Sequence, residues 1–146
     1  MAGHDNEKLY RRLIDDVFNQ GRMDVADELV APDCVEHQAS GMGDGPEGVK
    51  RIATTLRNAY ADFTLTIEDL AVDGDRIWAR QRGGGKNVGS FFGHPPTGNT
   101  GYIEVFDVVR FEDGKVVEHW GVPDQLSMLI QLGLVAPPRR PAAAQV

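Results

Sequence analysis

A carboxylate stands among apolar residues in one strand-like segment of the sequence. In YIEVFDVVRF, residues 102–111, Asp107 alternates in phase with four apolar residues, whereas Glu104 and Arg110 fall in the opposite phase. Successive side chains of a strand point to opposite faces, so Asp107 lies on the face that this pattern assigns to the core. An unpaired, ionised carboxylate is costly to bury. We therefore expect Asp107 to be protonated, ion-paired or in contact with a wet cavity.

The same carboxylate suggests proton chemistry. Desolvation favours the neutral form, so Asp107 could act as a general acid or donate a hydrogen bond to an oxyanion. The structural alternative is an internal ion pair with Arg80 or Arg82, which share one face of another strand-like segment with Trp78. The sequence does not determine which face this is. On the core side these side chains would bind an oxygen-rich ligand or neutralise Asp107, and on the outer side the arginines would be solvated.

His37 is a candidate for proton transfer, because imidazole titrates near neutral pH. It follows Cys34 in a short extended stretch, from which its side chain could enter a cavity. The alternative is a structural or solvated histidine.

The position of His119 depends on the register of a predicted hairpin around the Asp-Gly pair at 113–114. A two-residue turn would place Trp120 opposite Asp107. A three-residue loop would place Gly121 opposite Asp107 and bring His119 onto the same face. Both registers are compatible with the sequence.

The periodicity of apolar residues predicts helices first and then strands joined by tight turns. The predicted helices are residues 8–20, residues 23–30, residues 46–60 and a last helix capped by Asp124, and the predicted strands are residues 63–72, 75–82, 102–111 and 115–122. The phase slips near Glu68 and Asp69, which indicates a β-bulge. Four antiparallel strands with helices on one face give an α+β domain.

The composition favours a small-molecule ligand. The 146 residues include 22 acidic and 15 basic ones, for a net charge of -7, and no basic run is longer than a pair, which argues against nucleic acid and anionic membranes. The charged start and the lack of a long apolar run predict a cytoplasmic protein without signal peptide or membrane span. The single Cys34 excludes an internal disulfide. We expect one domain over residues 1–135 and a disordered tail over residues 136–146.

Short motifs give no support for a metal or a cofactor. The sequence holds no HExxH, CxxC or GxSxG. Residues 43–48, GDGPEG, match GxGxxG, but the later strands join by hairpins and not by the parallel crossovers of dinucleotide folds. We interpret residues 43–48 as a turn that leads into a helix.

The string GHPPTG from Gly93, followed by YIEVFDVVRFEDGKVVEHWGVPDQLSMLIQLG, resembles the SnoaL-like polyketide cyclases of the nuclear-transport-factor-two-like superfamily. The similarity extends back through YRRLIDDVFNQGRMDVADELVAPDCVEH. The resemblance implies a cone-shaped α+β barrel, with three N-terminal helices on a strongly curved antiparallel sheet around a deep pocket, often as a dimer. It also implies a polyketide-like ligand and acid/base chemistry without a cofactor.

The resemblance also locates two departures from the family. Gly121 stands where the cyclases and the related epoxide hydrolases have a catalytic aspartate, and Asp107 stands where the cyclases have a pocket histidine. In the ketosteroid isomerase branch, Asp107 would match the protonated aspartate of the oxyanion hole. His37 would match the general base of that branch, while Ile14 falls where it has a pocket tyrosine.

The sequence thus predicts a cofactor-independent enzyme that cyclises, isomerises or dehydrates a small hydrophobic carbonyl compound. His37 would remove a proton and Asp107 would stabilise the enolate. Additional contacts with the substrate are predicted for His119, Gly121, Trp78, Arg80 and Arg82. The alternatives are a non-catalytic binding protein, favoured by Gly121, and an epoxide hydrolase.

Overall fold

The chain folds as helices packed on one face of a five-stranded sheet. The computed structural model describes residues 2–39 and 41–141, without the side chains of Ala2 and His4. The helices are α1 (Ala2–Arg12), which continues as a π-helical segment (Leu13–Asn19), α2 (Asp24–Leu29), α3 (Gly45–Ala59) and α4 (Gln125–Gln131). The strands are β1 (Val30–Glu36), β2 (Tyr60–Asp73), β3 (Arg76–Asn87), β4 (Thr100–Glu112) and β5 (Lys115–Pro123). The predicted α+β class is confirmed.

The sheet has the order β1-β5-β4-β3-β2 and is open, so it does not close into a complete barrel. The four strands expected from the sequence pair antiparallel with one another, and β1 is an additional strand that runs parallel to β5. The sequence predicts only a short extended stretch here, because the partner strand β5 is distant in the sequence and no local turn joins the two. The parallel pairing places the C-terminal end of β1 beside β5.

The β4–β5 hairpin combines features of both predicted registers. Its turn has two residues, Asp113 and Gly114, both with positive φ (49° and 76°), the backbone form that suits a tight hairpin. The register then shifts, because Phe111 pairs with Val116 but Arg110 pairs with Glu118. One residue, 117, is therefore extra in β5.

This bulge determines which residues of β5 face Asp107. Gly121 is the direct partner of Asp107 in the ladder, and His119 lies two residues before it on the same face. The register expected for a three-residue loop is therefore present, although the turn itself has two residues.

The predicted bulge in β2 is confirmed. Ile67 pairs with Gln81 and Asp69 pairs with Arg80, so Glu68 is the extra residue. With this register, Ala79 of β3 pairs with Leu70 of β2 on one side and with Asp107 of β4 on the other.

The first helix buries one apolar face on the sheet. Its buried apolar side chains are Tyr10, Leu13, Ile14 and Val17. The residues from Leu13 onward have π-helical hydrogen bonding, a form often found near functional sites. The helix thus places an aromatic side chain over the middle of the sheet.

The glycine-rich segment 43–48 leads into α3, as predicted. Gly45 has φ of 70°, which favours glycine, and Pro46 occupies the first turn, where its missing N–H costs no helical hydrogen bond. Asp44 Oδ1 accepts a hydrogen bond of 2.8 Å from the backbone N–H of Glu36. The segment therefore fixes the end of β1 against the start of α3.

The C-terminal helix is short and capped. Asp124 Oδ1 accepts a hydrogen bond of 3.1 Å from the Ser127 N–H, as the sequence predicts. Residues 136–141 carry no helix or strand, and residues 142–146 of the predicted tail lie outside the described residues. The domain limit at residue 135 stays a prediction. None of the helices in the described part of the chain is long and apolar enough to cross a bilayer.

Candidate active site

Three ionisable side chains meet on the inner face of the sheet, which is the face covered by the helices. His119 Nε2 lies 3.0 Å from Asp107 Oδ1, and His119 Nδ1 lies 2.7 Å from Glu36 Oε1. The three residues come from the adjacent strands β4, β5 and β1, and Glu36 is the direct partner of His119 in the parallel ladder. We call Glu36, His119 and Asp107 the acid–base cluster.

Asp107 accepts hydrogen bonds from three side chains. Tyr10 donates its hydroxyl to Oδ2 at 3.1 Å, Gln81 donates its amide to Oδ2 at 2.6 Å, and His119 faces Oδ1. Three donors around two oxygens suit an ionised carboxylate, because a protonated one would itself be a donor. Asp107 is thus an ion-paired acceptor, and its partner is a histidine and not one of the arginines considered from the sequence.

His119 is held as an imidazolium between two carboxylates. Burial alone would lower the pKa of His119, but hydrogen bonds and negative charge from Asp107 and Glu36 outweigh it and raise the pKa to about 10. Both ring nitrogens then carry protons, and each donates to one carboxylate. At neutral pH the acid–base cluster therefore holds one proton donor and two acceptors.

A tyrosine of the first helix, Tyr10, donates its hydroxyl to Asp107, whereas the resemblance to the isomerases implied Ile14 at the position of their pocket tyrosine. Tyr10 lies one helical turn before Ile14, and only 1% of its surface is exposed. Burial and then the charge and hydrogen bond of Asp107 raise the pKa of Tyr10 well above its ordinary value. The hydroxyl is therefore a neutral donor at physiological pH.

The acid–base cluster forms one polar side of a largely apolar cavity. The cavity encloses about 830 Å³ of unoccupied space, including its open mouth. Its apolar lining includes Phe18, Ile52, Leu56, Phe63, Ile103, Val105 and Met128. No lysine or arginine within residues 2–39 and 41–141 lines it. A cavity with apolar walls and a few convergent polar groups is typical of a small-molecule site.

A second, smaller cavity lies toward the first helix. Its unoccupied space is about 550 Å³, and Tyr10, Cys34 and all three members of the acid–base cluster line it. The cluster thus separates two cavities. Burial, followed by the charge of Glu36, raises the pKa of Cys34 to about 11, so this thiol is not an activated nucleophile.

Gly121 leaves a space that a neighbouring side chain occupies. A Cβ atom on Gly121 would overlap Gln38 Oε1 and would lie 2.8 Å from Asp107 Oδ1 and 2.9 Å from His119 Cε1. Gln38 also lines the cavity, and its backbone N–H donates to Glu36 Oε1 at 2.8 Å. The glycine therefore gives the Gln38 amide access to the acid–base cluster.

His37 lies on the outer face of the sheet, so its side chain does not enter the cavity, contrary to the expectation from the sequence. Alternation in β1 turns Glu36 inward and the following residue outward. The His37 ring stacks on Trp120 with centroids 4.7 Å apart, and its Nε2 lies 2.9 Å from Glu118 Oε2. The side chain that enters the cavity is instead that of the preceding residue, Glu36, which contacts His119.

Trp78, Arg80 and Arg82 also lie on the outer face, and none of them lines the cavity beside the acid–base cluster. Ala79 pairs with Asp107 and points inward, so its two neighbours point away. Trp78 is 49% exposed. The outward partners are Asp69 and Glu104 for Arg80, and the Tyr102 ring, 4.4 Å away, for Arg82.

Four residues of the site were missed from the sequence, although three of them had a local signal. Tyr10 shares the helical spacing of Leu13, Ile14 and Val17, and Gln81 alternates in phase with Ile77 and Ala79. Glu36 is two residues from the buried Cys34. Gln38 had no local signal, because its position depends on a contact with β5.

The described residues include no group of three or more His, Cys, Asp or Glu side chains that is arranged to hold a metal ion. Within the acid–base cluster, the nitrogen and oxygen atoms face one another through hydrogen bonds. The resulting site offers proton donors and acceptors beside an apolar cavity.

Comparison with known proteins assigns the family. The model of the SnoaL-like polyketide cyclases matches residues 8–132. Aklanonic acid methyl ester cyclase DnrD of Streptomyces peucetius is 30% identical over 132 residues, covering 86% of this chain and 88% of that protein. Nogalonic acid methyl ester cyclase of Streptomyces nogalater is 29% identical over 123 residues, covering 80% of this chain and 89% of that protein. The structure of TsrD from Streptomyces laurentii has a TM-score of 0.82 and 26% identity, covering 90% of this chain and 97% of that one. The chain therefore belongs to the SnoaL-like polyketide cyclase family.

Proposed function

We propose that this protein is an enzyme that closes a ring in a neutral polyketide ester by acid/base catalysis without a cofactor. The observation that carries the proposal is the acid–base cluster at the wall of an apolar cavity. Related proteins named as cyclases of aklanonic and nogalonic acid methyl esters support the reaction class. Isomerisation or dehydration would use the same proton transfers.

In this proposal Asp107 removes a proton from a carbon next to a carbonyl group. His119, as an imidazolium, stabilises the negative charge that develops on the carbonyl oxygen. The resulting enolate carbon attacks a second carbonyl of the same molecule, so that one C–H bond breaks and one C–C bond forms. The new alkoxide then takes a proton from the cluster, which restores Asp107 to its ionised form. Glu36 orients the imidazolium and balances its charge.

The charges at the cavity favour a neutral substrate. Two carboxylates and one imidazolium leave a net negative charge in the acid–base cluster, and no lysine or arginine among the described residues lines the cavity. A ligand carboxylate there would be repelled and would lose its hydration without a partner. A methyl ester removes that charge while keeping the carbonyl groups, and the apolar walls suit aromatic rings.

The direct test is turnover of aklanonic acid methyl ester by the native protein and by Asp107→Asn. Separation of the ring-closed isomer by liquid chromatography measures the rate. We expect the substitution to reduce kcat/KM by about 100-fold or more, with the near-ultraviolet circular dichroism unchanged. Full activity of Asp107→Asn, or no turnover by the native protein, would contradict the proposal.

Gly121 favours a second candidate, a non-catalytic binding protein, because the resemblance to the cyclases implies a catalytic aspartate at this position. Gly121→Asp separates the two candidates. If the native chain is an enzyme, this variant loses activity, because its side chain displaces Gln38 and places a carboxylate beside Asp107. If the ester is converted only by Gly121→Asp, the native chain is a binding protein.

We also propose that the protein is a cytoplasmic homodimer that uses the outer face of the sheet. Trp78, Phe106 and Val122 are 49%, 54% and 71% exposed on this face, and burying them against a second copy would remove apolar surface from water. Val122→Glu should then shift the sedimentation coefficient from that of a dimer to that of a monomer.

A further inference from the structure

We propose that Gln38 is a substrate-contacting residue, which takes the space left by Gly121 and presents a neutral amide to an oxygen of the ligand. The inference rests on the proposed function and extends it to the specificity of the site. Gln38 Oε1 would overlap a Cβ atom on Gly121, and that Cβ position lies 2.8 Å from Asp107 Oδ1 and 2.9 Å from His119 Cε1. The same side chain lines the larger cavity.

The side chain of Gln38 can take this position only because residue 121 is a glycine. Any larger residue at position 121 would overlap the amide of Gln38 and would approach Asp107 and His119 to less than 3.0 Å. The backbone is an ordinary strand there, since the φ of Gly121 is not among the positive ones. Glycine is therefore required at this position for space and not for its conformational freedom.

The position of Gln38 is fixed from its own backbone. Its N–H donates to Glu36 Oε1 at 2.8 Å, and its carbonyl accepts a hydrogen bond of 2.9 Å from Gly41 N–H. One residue thus orients a carboxylate of the acid–base cluster through its backbone and extends its side chain across the cluster to β5. An exchange of partners between Gln38 and an arriving ligand needs no movement of a strand.

The chemistry of the amide defines what it recognises. A carboxylate at this place would add a second net negative charge beside Asp107 and Glu36, whereas an amide adds none and can both donate and accept. The amide therefore suits a ligand carbonyl, hydroxyl or ester oxygen next to the reacting carbon. It would discriminate these groups from an ionised carboxylate.

A double-mutant cycle tests the inference. The four proteins are the native chain, Gln38→Ala, Gly121→Ala and the double variant, and isothermal titration calorimetry measures the Kd of aklanonic acid methyl ester. Gln38→Ala removes the amide, and Gly121→Ala displaces it. We expect each single variant to weaken binding about tenfold and the double variant to bind no more weakly than Gln38→Ala. Gln125→Ala, which changes the other glutamine that lines the cavity, is the matched control and should combine additively with Gly121→Ala.

Gln38→Glu provides a second test that leaves Gly121 in place. It keeps the length of the side chain and adds a charge, so it should raise the pKa of His119 in an NMR titration and weaken binding of the ester. This readout remains informative if Gly121→Ala does not fold. An unchanged His119 pKa in Gln38→Glu contradicts the proposed location of the side chain.

The outcomes separate this inference from the proposed function. Additive effects of Gln38→Ala and Gly121→Ala, native affinity of Gln38→Ala, or no binding of the ester by the native chain would overturn the inference. Coupled losses of binding in a protein that does not convert the ester would support Gln38 as a ligand contact while contradicting the enzymatic reaction.

Discussion

Asp107 and His119 belong to neighbouring strands of one hairpin, and their Oδ1 and Nε2 atoms lie 3.0 Å apart. This contact depends on the extra residue, Val117, in β5. Because side chains alternate along a strand, removal of one residue would turn Trp120 toward Asp107 and His119 away from it. The bulge is therefore what assembles the acid–base pair.

Glu36 and His37 provide a matched pair for testing which face of β1 carries the site. Glu36→Gln removes one of the two carboxylates that hold the His119 proton, so it should lower the pKa of His119 and reduce kcat/KM by about tenfold or more. His37→Gln changes a side chain that stacks on Trp120 on the outer face.

The measurements are turnover of aklanonic acid methyl ester and NMR titration of His119 in both variants. We expect His37→Gln to retain native turnover and a native His119 pKa. Equal losses in the two variants, or a loss confined to His37→Gln, would show that the assignment of the inner face is wrong.

The raised pKa of His119 predicts a pH dependence of stability. The pKa is about 10 in the folded protein and about 6.5 in an unfolded chain, so the folded state binds this proton more tightly. Its contribution is fully present below about pH 6.5 and decreases as the pH rises through the folded value. The free energy of unfolding should therefore fall, by an amount on the order of a few kcal/mol, between about pH 6.5 and 10.

Urea unfolding of the native protein and of His119→Gln, from about pH 6 to pH 8.5, measures this effect. The upper limit avoids Cys34, whose pKa is raised by burial to about 11 and whose ordinary value is 9.0. The slope of stability against pH should be smaller in His119→Gln. Equal slopes in the two proteins would exclude a His119 proton held by the acid–base cluster.

Removal of the Tyr60 hydroxyl should not destabilise the protein, because in the described part of the chain this group makes no hydrogen bond that the substitution would break. Its hydroxyl is buried and has no hydrogen-bond partner among the residues that the structure describes, and burial raises the pKa of Tyr60 to about 12. An unpaired buried polar group costs about 1–3 kcal/mol. Tyr60→Phe should thus leave the free energy of unfolding unchanged or raise it by about 1 kcal/mol in urea unfolding.

Tyr10→Phe is the control, since its hydroxyl donates to Asp107 at 3.1 Å. This variant should lose about 1 kcal/mol of stability. A larger loss in Tyr60→Phe than in Tyr10→Phe would mean that the Tyr60 hydroxyl has a partner of its own.

Asp107 could be predicted as a site residue from the sequence because the pattern that identifies it lies within one strand. Strict alternation in β4 assigns a carboxylate to an apolar face, and that reasoning needs no knowledge of neighbouring strands. His119 could be placed only conditionally, because the bulge at Val117 leaves no mark in the pattern of the turn. The helix-then-hairpin order was predictable for the same reason as Asp107, since it depends on periodicity and Asp-Gly turns.

Non-local contacts account for the errors in the predicted site. Glu36 contacts His119 across a separation of 83 residues, through a parallel pairing that local patterns do not reveal. Without knowledge of that pairing, the sequence does not show which face His37 occupies. Neighbouring residues of a strand point to opposite faces, so Glu36 enters the site and His37 does not. The face of Arg80 was equally undetermined until the pairing of β3 with β4 placed Ala79 opposite Asp107.

The most direct test of the central claim is whether Asp107 removes a proton from carbon. Aklanonic acid methyl ester is incubated in D₂O with the native protein or with Asp107→Asn, and ¹H NMR follows the signal of the hydrogen next to the carbonyl group. We predict that the native protein replaces this hydrogen by deuterium at least about 100-fold faster than Asp107→Asn does. Equal exchange rates in the two proteins would contradict the assignment of Asp107 as the base.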